Sequence, residues 1–456
     1  MKYQKYPKYK DSGIEWIGEI PEHWDVTRTR WLFREINERS TNGDEVLLSV
    51  SEYYGVKPRK EIVDPGDFLT NAASLEGYKK CQKNDLVMNI MLAWKGALGI
   101  TDYDGIVSPS YNVFRPLKPK DVNYLHNLFR TKVYADIFRI NSTGIIDSRL
   151  RLYPDSFASV KVIHPPMEEQ DLISKFLEIH LKRLDTLTLR HEKMIERLKE
   201  KRQAIITHAV TKGLDPNVPM KDSGIEWIGE MPQLWKFTKL KYLASKNEYS
   251  FVDGPFGSDL KNEEYQDIGI PLIQLNNISN GVHLLNDTKF VSEEKANSLF
   301  KHLIKPGDIV IAKMADPVAR AAIVGRYYEK YVIVADCVKL VLEDQKASNR
   351  FINYAINSSV VRAFAETLSR GTTRLRINLS SIKELPILLP SLDEQLHITD
   401  YLDNITSNID LAIAKLQKVI SLLNEHKLSL VSEAVTGKID VRGLIQEVKE
   451  PAGQTS

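Results

Sequence analysis

The chain spells one unusual stretch twice. Asp11 to Trp24 reads DSGIEWIGEIPEHW and Asp222 to Trp235 reads DSGIEWIGEMPQLW, with eleven of fourteen positions identical at an offset of 211. A second match, at an offset of 225, runs without a gap from Glu169-Gln170 and Glu394-Gln395 to Ala209-Val210-Thr211 and Ala434-Val435-Thr436. Arg149-Leu150-Arg151 aligns with Arg374-Leu375-Arg376 at the same offset, and NDLVMNIM, ending at Met91, pairs with GDIVIAKM, ending at Met314, at an offset of 223. The period is far longer than that of a solenoid. It implies two half-copies, each with an opening motif, an intervening stretch of about 130–150 residues and a closing segment. The intervening stretches share little sequence. Like parts are expected to face like partners, and unlike parts different targets.

The closing segments predict long helices. In the second, Leu402, Ile409, Leu416, Leu423 and Leu430 recur every seven residues, with Ile398, Ile405, Ala412 and Val419 between them. Sustained spacings of three and four describe a coiled-coil seam. Ser391-Leu-Asp-Glu394 is a capping box behind Pro390, and Gly437 is a stop. The first copy offers Leu177, Leu184, His191, Leu198 and Ile205, with Ile173, His180, Leu187 and Met194 between, and ends at Gly213 and Asp215-Pro216. The helical histidines have no clustered ligand types beside them, so packing is favoured over metal binding. At about 45 residues each helix spans roughly 65 Å. Antiparallel packing on each other is the simplest use of two such seams, with an intermolecular coil as the other. The first arrangement returns the chain end to its own start, as a pseudo-two-fold ring.

The intervening stretches read as mixed α/β. Asp85-Leu-Val-Met and Asp308-Ile-Val-Ile are short buried strands after polar turns, Tyr331 to Ala335 and Val338 to Leu342 are β-rich, and Asn123 to Phe138 and Asn349 to Leu368 have helical periodicity. Asp253-Gly254-Pro-Phe256-Gly257-Ser258 reads as a tight exposed turn whose backbone N–H groups suit a phosphate, although most such turns are only turns. Arg370-Gly-Thr372-Thr373-Arg374-Leu-Arg376 and its counterpart STGIIDSRLR, ending in Arg149 and Arg151, set loop arginines among hydroxyls. That pattern fits a phosphate-contacting surface, and equally a solvated charged loop. Trp94, Lys95, Lys313 and Arg320 follow the first strand of each half, where they are placed either to reach base edges or to pack.

The bulk numbers exclude more than they assign. A chain of 456 residues implies several domains. Two cysteines exclude a disulfide framework and a cysteine-rich zinc site, and fit a reducing cytoplasm. No apolar run is long enough for a membrane span, and no apolar stretch follows the basic N-terminus as a signal peptide requires. The net charge of +2 argues neither for nor against nucleic acid. G-x-x-x-x-G-K-S/T and G-x-G-x-x-G are absent, His164-Pro-Pro-Met167 fails as an adenine-methylase tetrad, and Ile311 stands where a nuclease would carry an acid. A self-sufficient enzyme is not expected.

KDSGIEWIGEIPEHW before a variable stretch, PPMEEQ and PSLDEQ opening long helices, and AVTKGLD closing one together resemble the specificity subunit of type I restriction–modification systems. The resemblance covers nearly the whole chain in the family's order. It implies target-recognition domains over 1–165 and 215–390, conserved spacer helices over 166–214 and 391–437, and a C-terminal tail over 438–456. The two globules are then separated by an antiparallel intramolecular coiled coil of the two helices. Each globule reads one half of a bipartite, asymmetric site in double-stranded DNA. Two modification (methyltransferase) subunits dock on the helices and restriction or motor subunits join them. No cofactor is bound by this chain: S-adenosylmethionine, ATP and Mg belong to the partners. Two other readings are a protein-binding scaffold and an orphan or decoy DNA-binding protein of the same fold. The resemblance assigns no base-reading residues, because they lie in the variable stretches.

Overall fold

The computed structural model describes residues 3–62, 74–118, 122–257, 259–314, 317–371 and 375–444. It divides into two compact units, Met1–His191 with Lys418–Ser456, and Glu192–Gln417. Both units use one frame. The opening motif is a hairpin, Tyr9–Asp11 with Glu19–Pro21 in the first unit and Met220–Asp222 with Glu230–Pro232 in the second. Short polar side chains set its turn. Asp11 accepts from the Gly13 N–H at 2.9 Å and Ser12 from that of Ile14 at 3.1 Å, while Asp222 and Ser223 repeat both bonds at 2.9 and 3.2 Å. Gly18 and Gly229 close it at φ +69° and +67°, a region glycine occupies without steric cost. The repeated letters are one repeated turn.

The next strand of each frame pairs antiparallel with the strand just before the long helix: Asp25–Arg28 with Lys161–His164, and Lys236–Lys239 with Pro386–Leu389. The variable stretch is inserted between these two strands. In the first unit it centres on an antiparallel sheet in the order Phe33–Ile36, Tyr111–Pro116, Leu86–Asn89, Leu98–Ile100. In the second, Ile309–Ala312 lies between Cys337–Leu340 and Ala321–Ile323 in a five-stranded sheet. Leu86–Asn89 and Ile309–Ala312 are buried at every residue, which explains their unbroken apolar runs. The two helical stretches are each broken once. Thr131 caps Lys132–Ile140 through the Tyr134 N–H, and Ser358 caps Ser359–Thr367 through that of Val361. A hydroxyl within an apolar periodicity acts here as an N-cap.

The long helices run Met167–Lys212 and Leu392–Val435. Their buried faces meet the sequence expectation in part, with Ile173 and Ile398 of the interleaved set buried and Ile405 and Ala412 half-buried. Leu177, Leu402 and Ile409 are buried, and Leu184, Leu198, Leu416 and Leu423 half-buried, but Leu187, Met194 and Val419 are 39%, 52% and 37% exposed. Ile195 and Thr406 are buried in the interleaved places, beside half-buried Leu181, Ile413 and Ile420. At some places apolar residues stand at both +3 and +4, as Ala412 with Ile413 and Val419 with Ile420, so spacing alone does not choose there. The globular cores choose, since Leu181 and Leu184 pack on the first. His180 and His191 bond the carbonyls of Phe176 and Leu187 at 2.9 and 2.7 Å, which satisfies each ring on its own helix. Among the described residues no group of three or more His, Cys, Asp or Glu could hold a metal, and no helix is long and apolar enough to cross a membrane.

The expected boundaries at 166–214 and 391–437 cut differently from the compact units, because each long helix is shared out between both units. The expected tail begins inside the first core: Ile439 and Val441 are 1% and 0% exposed, and the Asp440 N–H bonds the Gln4 carbonyl at 2.9 Å. Chain start and chain end thus meet within one unit.

Each hairpin ends on a fully buried tryptophan at the helix ends. In the first unit Trp24 lies against Gly437, past the end of the second helix, while Tyr6 and His23 bond the Glu169 carboxylate at the start of the first. In the second, Trp235 donates to Glu394 at 3.0 Å and lies against Gly213. The Ser391 hydroxyl accepts the Glu394 N–H at 3.3 Å, so that half of the capping box forms, while the Glu394 carboxylate takes the indole N–H. Lys438 Nζ reaches the Glu19 carbonyl at 2.7 Å and Lys212 Nζ that of Glu230, although Lys and Gly have exchanged places between AVTKGLD and AVTGKID.

A Cβ on Gly437 would stand 2.4 Å from Pro21 Cδ and 3.0 Å from Trp24, at φ +72°, whereas one on Gly18 meets nothing within 4 Å. Gly18→Ala should therefore cost only the left-handed strain, about 1 kcal/mol, and Gly437→Ala about 2–4 kcal/mol through added overpacking. Urea unfolding of the two variants measures the difference.

Candidate nucleic-acid interface

The arginine-bearing loops are built alike. In the first unit Thr143 and Arg151 exchange two backbone hydrogen bonds of 2.9 Å, and the Leu152 N–H bonds the Ile90 carbonyl at 2.9 Å, just past strand Leu86–Asn89. In the second, Arg370 and Arg376 exchange two of 3.0 Å, and the Ile377 N–H bonds the Lys313 carbonyl at 2.9 Å, just past strand Ile309–Ala312. Leu152 and Ile377, both fully buried, anchor the loops. The weak sequence matches around Met91 and Arg149 therefore mark one substructure in two copies.

The cations differ in their freedom. Arg149 and Arg370 are exposed, while half-buried Arg151 turns back to the Leu150 carbonyl at 2.8 Å. Trp94 is half-buried and donates to the Met91 carbonyl at 3.0 Å. Lys95 lies 5.2 Å and Arg139 5.5 Å from its ring, and Arg139 also pairs with Asp147 of the loop at 2.8 Å. Arg139 carried no sequence signal, because it sits in a helix with an ordinary surface pattern. In the second unit Lys313 is buried and paired with Asp253 at 2.9 Å, and Arg376 is paired with Asp336 at 2.5 Å. The Arg320 guanidinium donates inward to the Leu275 carbonyl at 2.8 Å. A recess of about 480 Å³ is lined by Lys313, Met314, Arg370, Gly371, Arg376 and Asn378.

In the Asp253–Gly257 turn one of the N–H groups expected to be free is spent. The Gly254 N–H is spent on the Cys337 carbonyl at 2.8 Å, and a Cβ there would stand 1.9 Å from the Val334 carbonyl oxygen. Gly254 is thus required by a close backbone approach. Phe256, 75% exposed, and Gly257 remain at the tip. Ser258, Thr372, Thr373 and Arg374 lie outside the described residues.

A second cationic recess in this unit, about 290 Å³, is lined by Arg202, Arg350 and Arg362. Arg202 pairs with Asp410, and Arg350 with Asp400 and Asp403. Burial, with Arg320 and Arg202 nearby, lowers Arg362 to about 10. The buried thiols of Cys81 and Cys337 are each pushed up to about 12, chiefly by desolvation, which leaves them unreactive.

Matched frames carrying unmatched inserts, each with an arginine loop beside its central strand, are the parts of a two-headed recognition protein. The chain belongs to the type I restriction modification DNA specificity domain family, whose model matches residues 21–197 and 235–421. It is 23% identical over 458 residues to the type I restriction enzyme MjaVIII specificity subunit of Methanocaldococcus jannaschii, covering 97% of this chain and 99% of that one. It is 21% identical over 438 residues to the StySPI specificity subunit of Salmonella potsdam, covering 92% and 90%. A solved chain from work on complex assembly and conformational transition of the type I R-M system shares the fold at a TM-score of 0.66, with 15% identity over 91% of this chain and 98% of that one. The role is DNA sequence recognition, and catalysis belongs to other subunits.

The geometry separates exposed cations from internally paired ones. Arg149→Gln and Arg370→Gln should each weaken duplex binding similarly on all sequences and reduce the salt slope by about one, without loss of stability. Lys313→Met should lower stability by about 1–3 kcal/mol, because it strips Asp253 of its partner. Binding titrations across salt concentrations, with urea unfolding, check both.

Proposed function

We propose that each compact unit reads one half of a bipartite, asymmetric site in double-stranded DNA, and that the long helices pair as an antiparallel intramolecular coiled coil that fixes the unread gap. One observation carries the reading. In the first unit Lys427 pairs with Asp185 at 2.6 Å, and in the second Arg202 pairs with Asp410 at 2.9 Å. The offset of 225 maps Arg202 onto Lys427 and Asp185 onto Asp410. One ion pair between the two helices therefore occurs twice, at equivalent places, as a two-fold axis between antiparallel helices requires. Exposed pairs of this kind are worth little in stability, so their value here is as markers of register. DNA offers equivalent faces about every 34 Å.

Two modification subunits dock on the surface that the copies share, and restriction or motor subunits join them. The shared motif supports this. Trp16 and Trp227 stand at the same place in it and are 55% and 42% exposed. Trp227 stacks on Phe364 at 4.9 Å, and Trp16 lines a recess with Ile137 and Ile140. A large apolar side chain kept identical and uncovered in both copies fits a docking anchor for one kind of partner used twice. The chain binds no cofactor itself. S-adenosylmethionine sits on the modification subunits, and ATP and Mg serve the motor subunits.

Mapping methylated adenines in DNA from cells with and without this chain tests the whole reading. A split motif that disappears with the chain is expected, and an unchanged methylome would refute it. Adding or removing about four residues in Met167–Lys212 should change the gap and leave both half-sites intact. Altered half-site bases would overturn the spacer assignment. Trp16→Ala or Trp227→Ala alone should reduce the modification subunits counted by native mass spectrometry from two to one, and the double variant should lose both.

A further inference from the structure

The loop of the first unit presents its apolar residues to solvent. Ile145 is 100% exposed and Ile146 53% exposed. Isolated exposed alkyl groups are common on proteins. These two are adjacent, on a braced loop that also carries the exposed Arg149. The brace is specific. Besides the Thr143–Arg151 pair and the Leu152–Ile90 bond, the Arg149 N–H bonds the Ile146 carbonyl at 2.8 Å, and Asp147–Arg149 forms a short 3₁₀ turn. Gly144 lies at φ +150°, and a Cβ there would stand 2.6 Å from the Arg149 carbonyl oxygen. Leu150 and Leu152, at 8% and 0% exposure, take the inward places on either side of Arg151. The isoleucines are thus held outward by a loop whose own apolar anchors are already seated.

The surroundings indicate what receives them. Arg149 is on the loop itself, and Arg139, tied to the loop by Asp147, shares the Trp94 ring with Lys95. A phosphate backbone suits the exposed Arg149, and the apolar surface that a side chain meets on entering between base pairs is the face of a base. β-Branched side chains suit that use, since few rotamers are lost on insertion.

We propose that Ile145 and Ile146 form an apolar wedge that enters the base stack of duplex DNA and opens one step at the half-site read by the first unit. The inference rests on the DNA-reading role proposed above. Between the paired residues of the second unit's loop the sequence is Gly371, Thr372, Thr373, Arg374, Leu375, with no isoleucine pair. The distortion therefore belongs to one half-site only. Opening a step also lowers the cost of extruding a nearby base for a partner's chemistry.

The test uses the chain purified with its modification subunits and duplexes carrying 2-aminopurine at each position of the mapped site in turn. The wild-type complex should raise the fluorescence several-fold at one step of the first unit's half-site. Ile145→Ser with Ile146→Ser should return that step to the level of free duplex and weaken binding about ten-fold, with the salt slope unchanged. Ile145→Leu with Ile146→Leu should retain the signal. Fluorescence from a methylation target flipped elsewhere should persist in every variant. Wild-type fluorescence at every position in the double serine variant would overturn the wedge. So would loss of a modification subunit from that variant with the fluorescence intact, since the pair would then be a protein contact. No sequence-specific binding by the wild-type complex would sink the DNA-reading proposal itself.

Discussion

Two buried tryptophans organise this chain. Trp24 and Trp235 each close a hairpin of two three-residue strands, too small to be stable in water by itself. The indole makes it part of a core, and the core includes the end of one long helix and the start of the other. A helix end is where backbone groups lack intrahelical partners. The glycine past each helix leaves room for the ring, and the glutamate in the first turn of each next helix accepts from side chains of the opening segment. The strict requirement falls on hairpin, tryptophan, glycine and glutamate together. That explains why these short strings stayed alike while more than a hundred residues between them diverged.

The same logic says what the sequence could disclose. Frame residues were legible because both copies solve one packing problem, and the internal comparison acts as an alignment. The buried strands beginning at Leu86 and Ile309 were legible through unbroken apolar runs. The seam was only half legible, because Leu187 and Leu181 are equally apolar and only the globular core decides which turns inward. Gly254 was ambiguous, because a glycine required by backbone approach and one required by a ligand have the same letter. Lys313 and Arg320 looked available for binding. Their fates depend on Asp253 and the Leu275 carbonyl, which are brought close only by the fold. Arg139 gave no signal, since its neighbour Trp94 is 45 residues away in sequence.

Near-neutral charge is consistent with a sequence reader once the ion pairs are placed. Lys313, Arg376 and Arg139 each face a carboxylate within 3 Å. A cation held by an acid grips phosphate weakly, which limits sequence-independent affinity and its salt dependence. Such a cation is still positioned, and positioned donors discriminate bases once a duplex is held by other contacts. Arg149 and Arg370 stand exposed, one on the arginine-bearing loop of each unit, with no carboxylate among the described residues to hold them back from a phosphate on the reading proposed above. On the reading proposed above, weak general grip with fixed donors leaves the holding of DNA to the larger assembly and discrimination to this chain. On that reading the division of labour between subunits begins in the pairing of individual basic side chains with aspartates, before any partner is bound.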